Sequence, residues 1–185
     1  MDDARAIVLV EGRSDQIALE TLARRRGRDL EREGVLIVPM GGAHAVGRYL
    51  ARFGPRGAGT RLAGLCDAGE EELFRSGLER AGPGTRLTRP DMERLGFHVC
   101  VEDLEDELIR AVGADAVMDV IRTRGELGPF RTLGKQPGWR ERPVEERLRR
   151  FLGNASRKIE YAPLLVEALD PRAIPRPLDG VLGHV

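Results

Sequence analysis

Acidic side chains stand where apolar runs of this chain stop. The run "AIVLV" (6–10) ends at Glu11, with Gly12 next and Asp15 four residues after Glu11. "RLAGLC" (61–66) ends at Asp67, with Glu70 and Glu71 close behind, and "FHVCV" (97–101) leads into Glu102, Asp103, Glu105 and Asp106. A fourth run, "VLIVPM" (35–40), ends in Gly41 and Gly42, whose lack of side chains lets a ligand approach the backbone closely. An acid at a helix start contributes only about 0.3–1 kcal/mol through the dipole, and a single such exit needs no further account. Three acidic exits meeting in one crevice are different, because clustered carboxylates repel and raise one another's pKa. A divalent cation removes that cost, and hard oxygen donors select Mg²⁺ or Mn²⁺ over zinc.

The elements that must position these acids read as strand–helix alternation. The four runs are short, most are rich in β-branched residues, and the first two are continuously apolar, as in strands of a parallel sheet buried on both faces. After the first, Ser14 is placed to cap a helix with Asp15 in its first turn. Ala18, Leu19, Leu22 and Ala23 then repeat at helical spacing, and "RRRGR" supplies cations and Gly27 at the end. "GGAHAVGRYLARFG" and "EEELFRSGLERAG" follow the second and third runs in the same way. Such alternation predicts an α/β fold, a Rossmann-like four-stranded parallel sheet flanked by helices, with ligands beyond the carboxyl ends of its strands. Past residue 102 the patterns are amphipathic and helical, interrupted over 126–142 by a long loop or broken helix. The expected division is an α/β metal-binding domain over 1–110, a helical extension packed on it over 111–170, and an extended proline-rich tail over 171–185.

Composition narrows the class. The 185 residues are 41% apolar and 32% charged, as in a globular protein with a substantial core. Thirty basic and thirty acidic residues cancel, so no global field argues for nucleic acid or membrane. No stretch approaches the roughly 20 apolar residues of a membrane span, and the acidic start "MDDARA" is unlike a secretory signal. Cys66 and Cys100 form no C-x-x-C pair, which fits free thiols in the cytoplasm. Only Lys135 and Lys158 are lysines, so arginine clusters carry less meaning here than in most chains.

The ordered blocks "VLVEGRSD", Gly-Gly after the second run, "LCDAGEE" and "VCVEDLEDEL" resemble the TOPRIM domain, and within it the OLD (overcoming lysogenization defect) nuclease branch. The resemblance spans residues 6–110 and continues weakly through "RKIEYAPLLVEAL". It implies a metal-dependent endonuclease with two ions, Mg²⁺ or Mn²⁺. Glu11 matches the glutamate after the first strand, a metal ligand or acid–base group; Asp15 matches the branch's additional acid, and Asp67 the first aspartate of D-x-D. Glu105, with Asp103 beside it, matches the D-L-E acid of the second metal site, and Lys158 the late lysine that stabilises transition-state charge. Residue 69 is glycine, so the second D-x-D aspartate is missing, with Glu70 or Glu71 the substitutes. The resemblance also implies an ABC-type ATPase. "TLGKQPG" (132–138) is no P-loop, so either the module works alone or such an ATPase is a separate partner.

A two-ion site supports phosphodiester hydrolysis. Tyr49 and Tyr161 lie in apolar helical patterns and suit packing better than covalent strand transfer, which places nuclease above topoisomerase. Residues 131–158 hold nine basic and three acidic residues, a local charge of +6. Arg147, Arg150 and Arg157, with Gly41, Gly42 and His44 across the crevice, are therefore the expected contacts to DNA, with RNA as the second substrate. The other reading is a weakly catalytic or inactive TOPRIM-like module that binds nucleic acid or a partner. The sequence leaves the oligomeric state open, a homodimer included.

Overall fold

The computed structural model describes residues 4–185. In chain order the elements are β1 (Ala6–Val10), α1 (Arg13–Arg25), β2 (Val35–Pro39), α2 (Val46–Phe53), β3 (Arg61–Cys66), α3 (Glu71–Ala81), α4 (Arg89–Arg94), β4 (Phe97–Val99), α5 (Leu104–Val112), α6 (Ala114–Thr123), α7 (Leu127–Lys135), α8 (Val144–Leu152), α9 (Ala155–Ala168) and α10 (Arg176–His184). The four strands form one parallel sheet in the order β2-β1-β3-β4. This is the expected α/β architecture.

The continuous apolar run of β1 is explained by its two neighbours and two covered faces. Ala6, Val8 and Val10 enter one core with α1, α5, α6, α8, α9 and α10, while Ile7 and Leu9 enter the other with α2, α3 and α4. At roughly 1.5–3 kcal/mol per buried large aliphatic side chain, these two layers hold the sheet flat against its helices. The first core draws in Val117, Ile121, Phe151, Tyr161 and Leu165 from beyond residue 110, so the later helices share the hydrophobic interior of the sheet. Tyr161 is buried among them, and Tyr49 stacks on Phe53, which places both tyrosines in packing roles.

Two local features differ from the sequence expectation, and a third, α4, had no sequence reading. Gly12, not Ser14, is the N-cap of α1; the Gly12 amide donates to Asp15 Oδ2 at 2.8 Å, and Ser14 turns into the interior. The short helix α4 rests on a T-x-x-D box, where the Thr88 amide donates to Asp91 Oδ2 at 2.8 Å. The C-terminal segment is not an extended tail. Arg176–His184 is helical, with Pro177 in the first turn, where a missing N–H costs nothing, and with Leu178, Val181 and Leu182 fully buried. Gly180 lets this helix approach the sheet, since a Cβ there would strike the His98 ring. Among the described residues, no helix is long and apolar enough to cross a membrane.

Candidate active site

The chain passes from β1 to β2 on one side and then crosses to β3 on the other, so the carboxyl ends of β1 and β3 flank the point where strand order reverses. Crevices form at such points in open parallel sheets. Glu11 leaves β1 there and Asp67 leaves β3, and the two exits are tied together: the Asp67 amide donates to Glu11 Oε1 at 2.9 Å. The Gly41 and Gly42 amides donate to the Glu11 carbonyl at 3.1 and 3.0 Å, which fixes the β2 exit against the β1 exit. Both glycines have positive φ, 76° and 120°, conformations that side chains resist. On the other flank, the Ala68 amide donates to the Glu102 carbonyl at 2.9 Å and joins the β3 and β4 exits. The carboxylates thus come from separate parts of the chain but are mounted on one hydrogen-bonded rim.

Asp103 is the N-cap of α5, where Oδ1 accepts from the Asp106 amide at 2.8 Å. Its other oxygen meets two nitrogens of Arg149, at 2.7 and 2.8 Å. Glu105, only 5% exposed, receives Lys158 Nζ at 2.6 Å on Oε2. Lys158 reaches it from α9, whose start is capped by Asn154 Oδ1 accepting from the Arg157 amide at 2.9 Å. The late lysine and the acids of the α5 start are therefore joined across 53 residues of sequence.

The electrostatics of this crevice are those of crowded, desolvated acids. Burial pushes the Asp67 carboxyl up to about 8, with repulsion from Glu11, Asp15 and Asp103 adding to it and Lys158 opposing it. Burial pushes Asp15 up to about 6; the Gly12 amide opposes the shift, and Glu11 and Glu105 reinforce it. Glu11 is raised by burial, against the Asp67 amide, with Glu70 adding repulsion. Glu105 is raised by burial despite its bond from Lys158. Burial works against the Lys158 ammonium, but Glu105, Asp103 and Asp67 outweigh it and hold its pKa above the usual lysine value. Asp67 accepts no side-chain hydrogen bond from any described residue.

Hard anionic oxygens whose mutual repulsion one lysine only partly offsets are the donor chemistry that a divalent cation satisfies. Among the described residues, no three carboxylate, imidazole or thiol groups stand at metal-cage spacing. The donors fit the ion in kind, and side-chain movement is needed to close around it. Glu70, at the end of a single 3-10 turn (Ala68–Glu70), is near enough to repel Glu11, while residue 69 contributes no ligand.

The expected nucleic-acid contacts are distributed less evenly. Gly41 and His44 are exposed beside the β2 exit. Arg150 is exposed, its guanidinium 5.9 Å from the Trp139 ring centroid. Arg157 is occupied internally, paired with Glu126 at 2.8 Å and lying 4.0 Å over the Phe151 ring. Arg147 lies against Gly134, 3.1 Å from where a Cβ on that glycine would be. The basic residue that sequence reasoning passed over is Arg149, which meets the α5 acids. Only the charge of the 131–158 stretch pointed toward it, and its 46-residue separation from Asp103 left no local signal.

Residues 4–68, which carry Glu11, Asp15 and Asp67, match the family described as overcoming lysogenization defect protein-like, TOPRIM domain. That stretch is similar to an OLD-like TOPRIM domain. Solved structures extend the likeness in fold over the remaining residues. The C-terminal region of the Xanthomonas campestris pv. campestris OLD protein superposes with a TM-score of 0.73 at 21% identity, covering 98% of this chain and 92% of that one. The C-terminal region of the Burkholderia pseudomallei OLD protein does so with a TM-score of 0.72 at 19% identity, covering 98% and 96%. None of the curated proteins compared matches the chain in sequence. The crevice and the helices that deliver Arg149 and Lys158 to it thus share one fold with those structures.

Proposed function

We propose that this TOPRIM module is a Mg²⁺- or Mn²⁺-dependent nuclease-type phosphodiester hydrolase acting on DNA, in the cytoplasm. The observation that carries this is the electrostatic union of Glu11, Asp15, Asp67 and Glu105 around Lys158 at the strand exits. Glu11, Asp15 and Asp67 are the proposed holders of one ion, with Glu70 in reach of the gap at residue 69. Glu105 and Asp103 are the proposed holders of a second, with Arg149 giving up part of its hold on Asp103. When bound, the ions would neutralise charge at the scissile phosphate and activate water. Glu11 keeps Oε1 on the Asp67 amide, which leaves its second oxygen for an ion. Lys158, protonated and anchored by Glu105, offers positive charge to a phosphate. An ABC-type ATPase is the proposed partner.

A non-cleaving TOPRIM-like binding module is the second reading, favoured by Gly69 and by the engagement of both Asp103 oxygens. Plasmid and linear DNA incubated with the protein, with and without Mn²⁺, beside Glu11→Gln and Asp67→Asn, separate the two. Metal-dependent cleavage lost in both variants supports the nuclease, whereas DNA binding without cleavage supports the binding module. Equal cleavage by parent and variants would refute the assigned site.

A further inference from the structure

Outside the carboxylate cluster, a cavity of about 310 Å³ opens beside Lys158. Its wall includes Asp103, Trp139, Glu146, Arg149, Arg150 and Lys158. Trp139 sits in the turn between α7 and α8, its amide donating to the Gln136 carbonyl at 2.9 Å, and is half-buried. The two wall acids are already partnered: Asp103 with Arg149 at 2.7 Å, and Glu146 with Arg142 at 3.3 Å. That leaves a concave surface built of an indole, the exposed Arg150 guanidinium over its ring, 5.9 Å from the centroid, and the Lys158 ammonium, which gives one of its three N–H donors to Glu105 at 2.6 Å.

We propose that this cavity receives one unpaired nucleotide of a DNA strand, its base stacked on Trp139 and its phosphate held by Arg150 and Lys158. The volume is at the low end of the roughly 300–1,000 Å³ typical of small-ligand pockets, which suits a single nucleotide. Bases inside a duplex hide their faces against one another, so an indole can stack only on a base that has left the helix or was never paired. The Arg150 guanidinium lies over the ring, 5.9 Å from its centroid, so the base would enter between indole and guanidinium, and the cation favours both the base face and the phosphate. Because Asp103 and Lys158 belong to both cavity and crevice, the stacked base would lie next to the scissile phosphate. This substrate assignment, single-stranded or locally opened DNA, rests on the nuclease reading for its consequence but is tested apart from it.

Trp139 is the only tryptophan of the chain, so tryptophan fluorescence, excited on the red edge where the two tyrosines do not absorb, reports on this cavity. The full chain is titrated in EDTA, where no metal-dependent cleavage occurs, with a single-stranded oligodeoxynucleotide and with a blunt duplex of equal length. The single strand is expected to quench the fluorescence and the duplex to leave it nearly unchanged. With a dye-labelled single strand followed by anisotropy, Trp139→Ala should weaken binding roughly 5- to 100-fold, the range expected for base–aromatic stacking. Trp139→Phe should retain most of the affinity, which a merely structural role would not require. Single-strand binding without quenching, equal affinity of Trp139→Ala and parent, or no single-strand binding would each overturn the assignment. Quenching by a protein that never cleaves DNA with Mn²⁺ would uphold the cavity while refuting the nuclease, and cleavage without quenching would do the reverse.

Discussion

Replacing Asp67 by Asn should make the metal-free protein more stable, even though the account places Asp67 at the centre of the site. The Asp67 carboxyl moves from 3.8 to about 8 on folding, first through burial and then through Glu11, Asp15 and Asp103. Because the folded value lies above the unfolded one, the folded state binds the proton more tightly. The associated stability is fully present below about pH 4 and is lost as pH rises toward 8, after which the curve is flat. A change of about four pKa units at ~1.36 kcal/mol each gives an upper bound of roughly 5–6 kcal/mol. Partial exposure of the crevice screens this to about 2–3 kcal/mol. Asn is nearly isosteric and uncharged, so Asp67→Asn should match the parent near pH 4.5 and exceed it by that amount at pH 8.5, about 4–12 °C in Tm. Asp15, pushed up to about 6, leaves a smaller slope below pH 6 in the variant. The assay is urea and thermal unfolding in EDTA across pH 4.5–8.5. A variant no more stable than the parent at pH 8.5, or one with an unchanged pH slope, would refute the reasoning.

Lys158→Met leaves Glu105 buried beside other acids without its cation. It should cost about 1–3 kcal/mol in urea unfolding at pH 7, with Glu105→Gln added to it recovering most of the loss. Arg149→Ala removes a half-exposed ion pair but keeps Asp103 as the cap of α5. Its unfolding midpoint should fall by no more than about 1 kcal/mol, while binding of labelled DNA weakens. Gly180→Ala drives a methyl group into the His98 ring and should lift α10 off the sheet. A loss of roughly 2–3 kcal/mol is expected, recovered in part by His98→Ala, with hydrogen exchange showing early opening of 176–184.

The strands were legible because each is a short, mainly apolar run closed by a glycine or an acid; β1 and β2 are continuously apolar, as the parallel sheet explains. The crevice was legible for a related reason: strand ends in such a sheet face one way, so acids after β1, β3 and β4 must share one edge. What could not be read were contacts set by tertiary packing. Asp15 caps α1 through the Gly12 amide as well as facing the crevice, a dual role that residue type does not reveal. Arg157 looks available in a basic stretch but spends its charge on Glu126, while Arg149 in the same stretch turns to Asp103. The last helix was hidden by three prolines, Pro171, Pro175 and Pro177; the final one lies in the first turn of α10, where proline is tolerated.

Titrating Mn²⁺ into the full chain at pH 8, with free Mn²⁺ followed by electron paramagnetic resonance, tests the shared-ion crevice most directly. The parent should bind Mn²⁺, Glu11→Gln and Asp67→Asn should lose that binding, and Glu146→Gln, outside the carboxylate cluster, should retain it. Binding by Glu11→Gln and Asp67→Asn as tight as by the parent, or no binding by the parent, would contradict the account.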